Sequence, residues 1–322
     1  MYDLIGDIHG HATELKALLH KLGYRKQNGV WQHPEQRQVI FLGDFVDRGP
    51  EQVEVVDIAR NMVEQGKALA VMGNHEYNAV AWATEDPENP GQFLRKHNDK
   101  NRDQHQAFLE QVGEGSPLHM GIIDWFKTLP LYLGLPELRV VHACWHPKHL
   151  AVMGKLTDDE NRLLPEAWID TARKGSAAYN ALETLLKGWE IFLPEGYVFH
   201  DGEGNPRHGI RTRWWAGVSA SYRDLAIVPD KQVHNIPDDQ QVSADQLPGY
   251  DNEKPLFVGH YWLRGEPAPL TPAIACLDYS VVDQKAGKLC AYRFDANDGP
   301  QKPLSRERFV WVERNEAQYP GV

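Results

Sequence analysis

Only three of the 322 residues are cysteine, and Cys144, Cys276 and Cys290 form neither a close pair nor a C-x-x-C. That excludes a disulfide-built fold and suits a reducing compartment. No apolar run approaches the length of a membrane span, and the chain opens on a strand pattern rather than a basic and apolar leader. A soluble, cytoplasmic protein with no membrane attachment is therefore expected. Basic residues are the minority: 34 Lys and Arg against 45 Asp and Glu leave a formal charge of −11. A chain of that sign lacks the field for broad nucleic-acid binding. It also lacks G-x-x-x-x-G-K-[ST], and G-x-G-x-x-G after a strand, which removes nucleotide binding through a glycine-rich phosphate cradle. Short-period repeats and low-complexity tracts are missing too. What remains is an ordinary globular composition, 42% apolar and 25% charged, with enough length for one large domain carrying insertions.

What is present is a recurring grammar near the start. The apolar run Tyr2 to Ile5 reads as a buried strand and stops at Gly6-Asp7-Ile8-His9-Gly10. Residues two apart in an extended segment point the same way, so Asp7 and His9 could reach one ion together. Val39 to Leu42 is a second such run, halted at Gly43-Asp44-Phe45-Val46-Asp47-Arg48-Gly49. Ala68 to Met72 is a third, running into Gly73-Asn74-His75-Glu76. Helical spacing fills the intervals, with Leu15, Leu18, Leu19 and Leu22 after the first strand and Val53, Val56 and Ile58 after the second. Alternating strands and helices predict a parallel α/β sheet, whose carboxyl edge is where ligands bind, so the three loops should converge.

Residues 85–120 interrupt the pattern with a polar, proline- and charge-rich segment, expected to form an irregular or partly helical excursion over the site. Leu138 to Val141 reads as a strand delivering His142, and Leu256 to Val258 as one ending in Gly259-His260. Thr157 to Gly188 carries a helical pattern, and Pro229 to Glu253 reads as a polar surface loop. Late strands at Ile274 to Tyr279, Leu289 to Phe294 and Phe309 to Val312 come without intervening helices and suggest antiparallel pairing.

The ordered set Gly-Asp-Ile-His-Gly, Gly-Asp-Phe-Val-Asp-Arg-Gly, Gly-Asn-His-Glu, His142 after a strand and Gly259-His260 resembles the calcineurin-like metallophosphoesterase superfamily. The Asp-Arg-Gly and Asn-His-Glu versions are most similar to its serine/threonine protein phosphatase branch and related bacterial enzymes, the diadenosine-tetraphosphatase-like ones among them. The resemblance is dense over the first 80 residues and then rests on His142, His260 and the strands to Phe294. It implies one domain over 1–322, a four-layer α/β/β/α sandwich with mixed sheets and a large helical and loop insertion, the insertions falling at about 85–120 and 146–250.

It further implies two divalent metal ions, Mn²⁺ most of all, with iron or zinc compatible. Asp7, His9 and Asp44 would hold the first; Asp44, Asn74, His142 and His260 the second, with Asp44 bridging. Imidazole, carboxylate and amide oxygen without thiolate suit such ions. The implied activity is that of a phosphatase, a metal-dependent phosphoric ester hydrolase. A hydroxide bridging the two ions would attack phosphorus of an ester or anhydride in line. Arg48 and Asn74 would bind the phosphate, His75 would protonate the leaving oxygen, and Asp47 would orient His75. A second phosphate-binding arginine is expected at Arg213, or at Arg211. Trp214 and Trp215 could stack on a base or pack in the core, and His146 and His149 stay outside the ligand set.

Two departures stand out. His142 is followed by Ala143-Cys144 where protein-phosphatase relatives commonly have Gly-Gly, and Gly259-His260-Tyr261-Trp262 lacks the second histidine of Gly-His-x-His, leaving the first ion fewer protein ligands. Substrates in keeping with the resemblance are phosphorylated small molecules, nucleotides such as diadenosine polyphosphates, or phosphoserine and phosphothreonine proteins. A non-catalytic scaffold on the same fold would be expected to have lost a ligand or the acid, and this chain keeps them all.

Overall fold

The computed structural model describes residues 1–201, 204–216, 220–295, 298 and 302–314. Tyr2–Ile5, Gln38–Phe41 and Ala68–Ala70 lie side by side in parallel register, each leading into a helix: Ala12–Lys21, Gln52–Glu64 and Asn74–Ala83. Lys288–Phe294 closes the other flank, antiparallel to Tyr2–Ile5, and itself pairs antiparallel with Asp278–Tyr279 and Phe309–Glu313. A second sheet runs Ile274–Cys276, Leu256–Val258, Arg139–Val141, Tyr132–Gly134.

Side-chain alternation along these short strands builds the layers. Leu4, Ile40, Leu42 and Val71 share a buried cluster with Val140, Phe257, Ala275 and Tyr292, which places the two sheets face to face. The opposite-facing Ile5, Val39, Phe41, Ala68 and Ala70 pack with Leu15, Leu18, Val55, Val56 and Val80 of the helices. Val141, Leu256, Val258 and Cys276 on the outer face of the second sheet join the same cluster as Trp168, Leu182 and Leu185. The architecture is therefore helix, sheet, sheet, helix, with both sheets mixed or partly parallel.

The late strands divide. Those around Lys288–Phe294 are antiparallel as expected, but Leu256–Val258 and Ile274–Cys276 run parallel. Fifteen residues without a helix connect them, and a connection of a dozen or more is long enough to cross over. The excursion after residue 85 is more regular than its composition suggests, folding into helices Asp99–Val112 and Pro117–Phe126 capped by Asn98 and Ser116. Within 146–250, helices Pro147–Met153, Ala167–Ala172 and Ala177–Lys187 precede a small sheet of Glu190–Phe192, Gly209–Thr212 and Ala226–Ile227. That sheet has a core of its own around Ile191, Ile210, Tyr222 and Leu225. The stretch 229–253 is irregular apart from two 3-10 turns and a bridge from Gln241 to Ser221.

One buried ionic node fixes the amino-terminal end of the central strand, away from the loops. Asp3, with no exposed surface, accepts from Tyr24 Oη at 3.0 Å, Arg37 Nε at 2.9 Å and Arg293 Nε at 2.9 Å. Removing the carboxylate takes a counter-charge from two arginines, one of them almost wholly buried and left with Asp295 alone. Asp3→Ala is expected to cost about 3–5 kcal/mol and to lower Tm by on the order of 10 °C in a thermal melt. An unchanged melt would show the node to be idle.

Candidate metal centre and active site

The loops that end the strands carry unusual backbone. Among non-glycine residues, His9 (φ 48°), Asp44 (φ 53°), Asp47 (φ 70°), Arg48 (φ 73°) and His260 (φ 72°) all adopt left-handed conformations. Such strain collects where a fold must aim side chains at a common point. Two glycines make the approach feasible. A Cβ on Gly73 would stand 2.2 Å from Asp44 Oδ1, and one on Gly259 would stand 2.1 Å from Asp7 Oδ1, so no larger residue fits either strand end.

Glu76 organises the turn from beneath. Its carboxylate accepts the backbone N–H groups of Asp44 (2.7 Å), Phe45 (2.8 Å) and Gly73 (2.9 Å). Gln52 does the same for the next loop, accepting from Asp47 N at 2.7 Å and donating to Gly49 O at 2.7 Å. The result is a cluster centred on one oxygen. Asp44 Oδ2 lies 3.3 Å from His142 Nε2, 3.7 Å from His9 Nε2 and 3.9 Å from His75 Nε2. Asn74, the first residue of its helix, places Oδ1 3.2 Å from His142 Nε2.

Two imidazoles are set in the tautomer a metal needs. His142 Nδ1–H donates to Leu42 O at 2.7 Å and His9 Nδ1–H to Val46 O at 2.9 Å, leaving each Nε2 lone pair aimed inward. Asp7 Oδ2 accepts the backbone N–H of His260 at 3.0 Å. Asp7 Oδ1 and His9 Nε2 are buried and have no hydrogen-bond partner among the described residues. Orphaned acceptors at the centre of a cluster are costly unless a cation joins them. His9, Asp44 and His75 form one group with metal-ligand proximity, and Asp44, His142 and His260 a second, sharing Asp44. Asp7 stands beside these compact groups rather than within either. Nitrogen and oxygen donors without thiolate fit Mn²⁺, iron or zinc.

The electrostatics of the bare cluster follow from burial and the shared carboxylate. Burial and the neighbouring His75 push His9 down to about 3. Burial opposes protonation of His142 as well, but the Asp44 carboxylate overrides it and lifts that imidazole to about 10. Burial, then the charge of Asp278, pushes Asp7 well above the usual carboxylate range. Burial and the Arg211 guanidinium hold His260 well below an ordinary imidazole, in keeping with Arg211 Nη1–H donating to its Nε2 at 2.9 Å.

Beside the cluster, Asp47 is clasped by two histidines. His75 Nδ1–H donates to Oδ2 at 2.5 Å and His105 Nδ1–H to Oδ1 at 2.6 Å. Against the cost of burial, these donors hold Asp47 below the usual carboxylate range. Burial lowers His75, yet Asp44 and Asp47 more than compensate, and its proton affinity ends above normal. His75 Nε2, 3.9 Å from Asp44 Oδ2 and on the cleft wall, is thus the free end of an oriented, charge-supported imidazole, an arrangement suited to a general acid.

A cleft of about 600 Å³ opens over these atoms, lined by Asp44, Asn74, His75 and His260 together with Arg48, Arg95, Lys187 and Arg211. Arg48 is exposed at the rim, its guanidinium 4.6 Å over the Trp262 ring, and Trp262 is 46% exposed. Of the two arginines expected to serve a phosphate, Arg211 lines this cleft. Arg213 does not: its Nη1 donates to the carbonyls of Asp224 (3.0 Å) and Ala226 (2.8 Å). Trp214 is core, donating to Tyr261 Oη at 2.7 Å, and Trp215 packs edge-on against Tyr261. His146 and His149 stack on each other at 4.2 Å beside Trp189.

Glu76, Gln52, His105, Arg95 and Asp278 support the site without belonging to the expected set. Asp278 holds the Trp262 turn, accepting Trp262 N–H at 2.7 Å. Only Glu76 carried a signal, its place three residues after Gly73 at a helix start.

A calcineurin-like phosphoesterase family model matches residues 2–191. The bis(5'-nucleosyl)-tetraphosphatase (asymmetrical) of Oceanobacillus iheyensis is 32% identical over 149 residues, 46% of this chain and 57% of that protein. Its Bacillus subtilis counterpart is 34% identical over 148 residues, covering 44% and 57%. The chain thus spans little more than half the length of the curated relatives it matches. A serine/threonine phosphatase structure from Saccharomyces cerevisiae overlays 97% of this chain and 78% of its own, loosely, with a TM-score of 0.48 and 13% identity. With more than half its length matched by the family model, this chain belongs to the calcineurin-like phosphoesterase family.

Proposed function

We propose that the chain is a dinuclear metal-dependent phosphoesterase, hydrolysing phosphate esters or anhydrides with two divalent ions, Mn²⁺ foremost and iron or zinc as alternatives. The observation that carries this is the single oxygen Asp44 Oδ2 facing three imidazole Nε2 atoms, with buried, unpartnered acceptors on Asp7 and His9 alongside. Asp7, His9 and Asp44 would hold one ion, and Asp44, Asn74, His142 and His260 the other. When bound, such a pair supplies Lewis-acid charge to phosphoryl oxygens and lowers the pKa of a water.

The chain's own groups do the rest. Arg48 and Arg211 neutralise phosphoryl charge, Arg48 from the rim, where its guanidinium lies over Trp262. Asn74 lines the same cleft, and its side-chain amide would donate to a phosphoryl oxygen. His75 gives its Nε2 proton to the departing oxygen, and Asp47 holds the imidazole in that tautomer through Nδ1–H. The backbone strain at Asp44, Asp47 and Arg48 means that these groups are aimed before substrate arrives, so little reorganisation is left for the reaction.

Nucleotide polyphosphates are the substrate class we favour, because four cationic side chains ring one cleft and the matched relatives bear tetraphosphatase names. The three cysteines are buried and unpaired, which suits a cytoplasmic enzyme. Turnover of diadenosine tetraphosphate and of a phosphothreonine peptide by the purified chain with Mn²⁺ separates the readings. Faster turnover of the dinucleotide is expected. A preference for the peptide would reassign the substrate to phosphoproteins, and no turnover of either with Mn²⁺, Fe²⁺ or Zn²⁺ would refute the phosphoesterase reading.

A further inference from the structure

Of the four cleft cations, the chemistry above leaves Arg95 and Lys187 unused, and Arg95 is the one without an ion-pair partner among the described residues. It comes from the excursion after residue 85, anchored by its backbone N–H to Ala81 O at 2.9 Å. Its Nη2 donates to two neutral oxygens, Gln104 Oε1 at 2.9 Å and Asn101 Oδ1 at 3.3 Å. Among the described residues no carboxylate pairs with it. Its neighbours in the cleft differ. Lys187 is paired with Glu183, Arg211 donates to His260 and lies 3.7 Å from Glu190, and Arg48 rests on Trp262. A half-buried guanidinium held in place by amides, with donors to spare, is built to receive an anion from outside.

Its side of the cleft is fixed by the helix that holds it. Asn101, Gln104 and His105 occupy adjoining positions on one face of Asp99–Val112. His105 donates to Asp47, which in turn holds His75. Arg95 is therefore tethered within a turn of the acid's own support, the side on which a proton from His75 would meet a leaving oxygen. An alcohol leaving there would offer it nothing, whereas a phosphoryl group would offer two or three anionic oxygens.

We infer that Arg95, held by Asn101 and Gln104, binds the phosphoryl group that leaves, and so directs this site toward phosphoanhydrides over phosphomonoesters. The inference rests on the phosphoesterase reading of the cleft. In the step it describes, the oxygen of water bonds to the attacked phosphorus and the bridging P–O bond breaks. Its electron pair departs on the oxygen of the second phosphoryl group, whose charge Arg95 neutralises, and the proton released by water passes to that oxygen or to solvent.

The test compares kcat/KM for diadenosine tetraphosphate and p-nitrophenyl phosphate with Mn²⁺ in the wild type, Arg95→Gln and Arg95→Lys. Arg95→Gln should lose about 10- to 100-fold on the dinucleotide, the scale of one charge-assisted hydrogen bond, and far less on the ester. Arg95→Lys should recover part of the loss. Inhibition of ester hydrolysis by inorganic pyrophosphate in the wild type gives a second readout: it should exceed inhibition by inorganic phosphate, and Arg95→Gln should narrow the gap. Equal losses on both substrates, or none on the dinucleotide, would overturn the inference while leaving the phosphoesterase reading intact. Wild-type turnover of the ester but not the anhydride, or no advantage of pyrophosphate over phosphate, would overturn it too. Failure of the wild type on both substrates would overturn the parent reading and this one together.

Discussion

Asp44→Asn is expected to lower Mn²⁺-dependent hydrolysis of p-nitrophenyl phosphate by more than about 100-fold, beyond the upper end of what even an outer partner of a metal site costs. The substitution keeps the shape of the side chain and removes its charge. Asparagine tolerates the left-handed backbone at this position, φ 53°, and Glu76 still receives the backbone N–H from beneath, so the fold should survive. What is lost is the anionic oxygen that faces His9, His75 and His142 at 3.3–3.9 Å. Three imidazoles around a neutral amide no longer form a site for two divalent ions, because no carboxylate is left to be shared. A circular dichroism spectrum and melt unchanged from wild type, with activity gone, is the expected pair of results. Full activity in the variant would contradict a shared-carboxylate centre.

The second large effect is expected at His75. His75→Asn should slow hydrolysis of an alkyl phosphomonoester such as glycerol phosphate by about 100- to 10,000-fold, the usual worth of a positioned general acid. The loss on p-nitrophenyl phosphate should be much smaller, since nitrophenolate departs with little help from a proton. His75 Nδ1–H is committed to Asp47 at 2.5 Å, and Asp47 is itself committed to His105 at 2.6 Å, so Nε2 is the only ring atom free to serve the substrate. Equal slowing of both esters would show that His75 acts on binding or on the cluster rather than on the leaving group. A phosphoryl leaving group also needs little protonation, so the anhydride directed by Arg95 should resemble the nitrophenyl ester in this comparison.

How much of this could be read before folding depends on where each residue sits relative to its strand. Asp7, His9, Asp44 and Asn74 are legible because each follows a short apolar run and a glycine, and parallel strands must bring such ends to one edge. His142 and His260 follow the same rule on the second sheet. The sandwich itself is less legible, since alternation within strands of three or four residues is too brief to say which face meets which. Leu256–Val258 and Ile274–Cys276 mislead because a long connection without a helix permits parallel pairing that composition does not announce.

The supporting residues are hidden for a different reason. His105 lies in a polar helix whose buried face amounts to His105, Phe108, Leu109 and Val112; nothing in that spacing tells a ligand of Asp47 from a packed core histidine. Arg95 looks like any surface arginine until Asn101 and Gln104 fold across it. Arg211 and Arg213, two apart, would share a face if their strand continued. It ends at Thr212, and Arg213 turns away to the carbonyls of Asp224 and Ala226. Tertiary geometry, not residue type, separates the two.

The two-metal centre is tested most directly by anomalous diffraction from crystals grown with Mn²⁺. Two peaks about 3.5–4 Å apart, with the Asp44 carboxylate between them, His9 on one side and His142 on the other, are the expected result. A single peak, or peaks that do not touch Asp44, would contradict it.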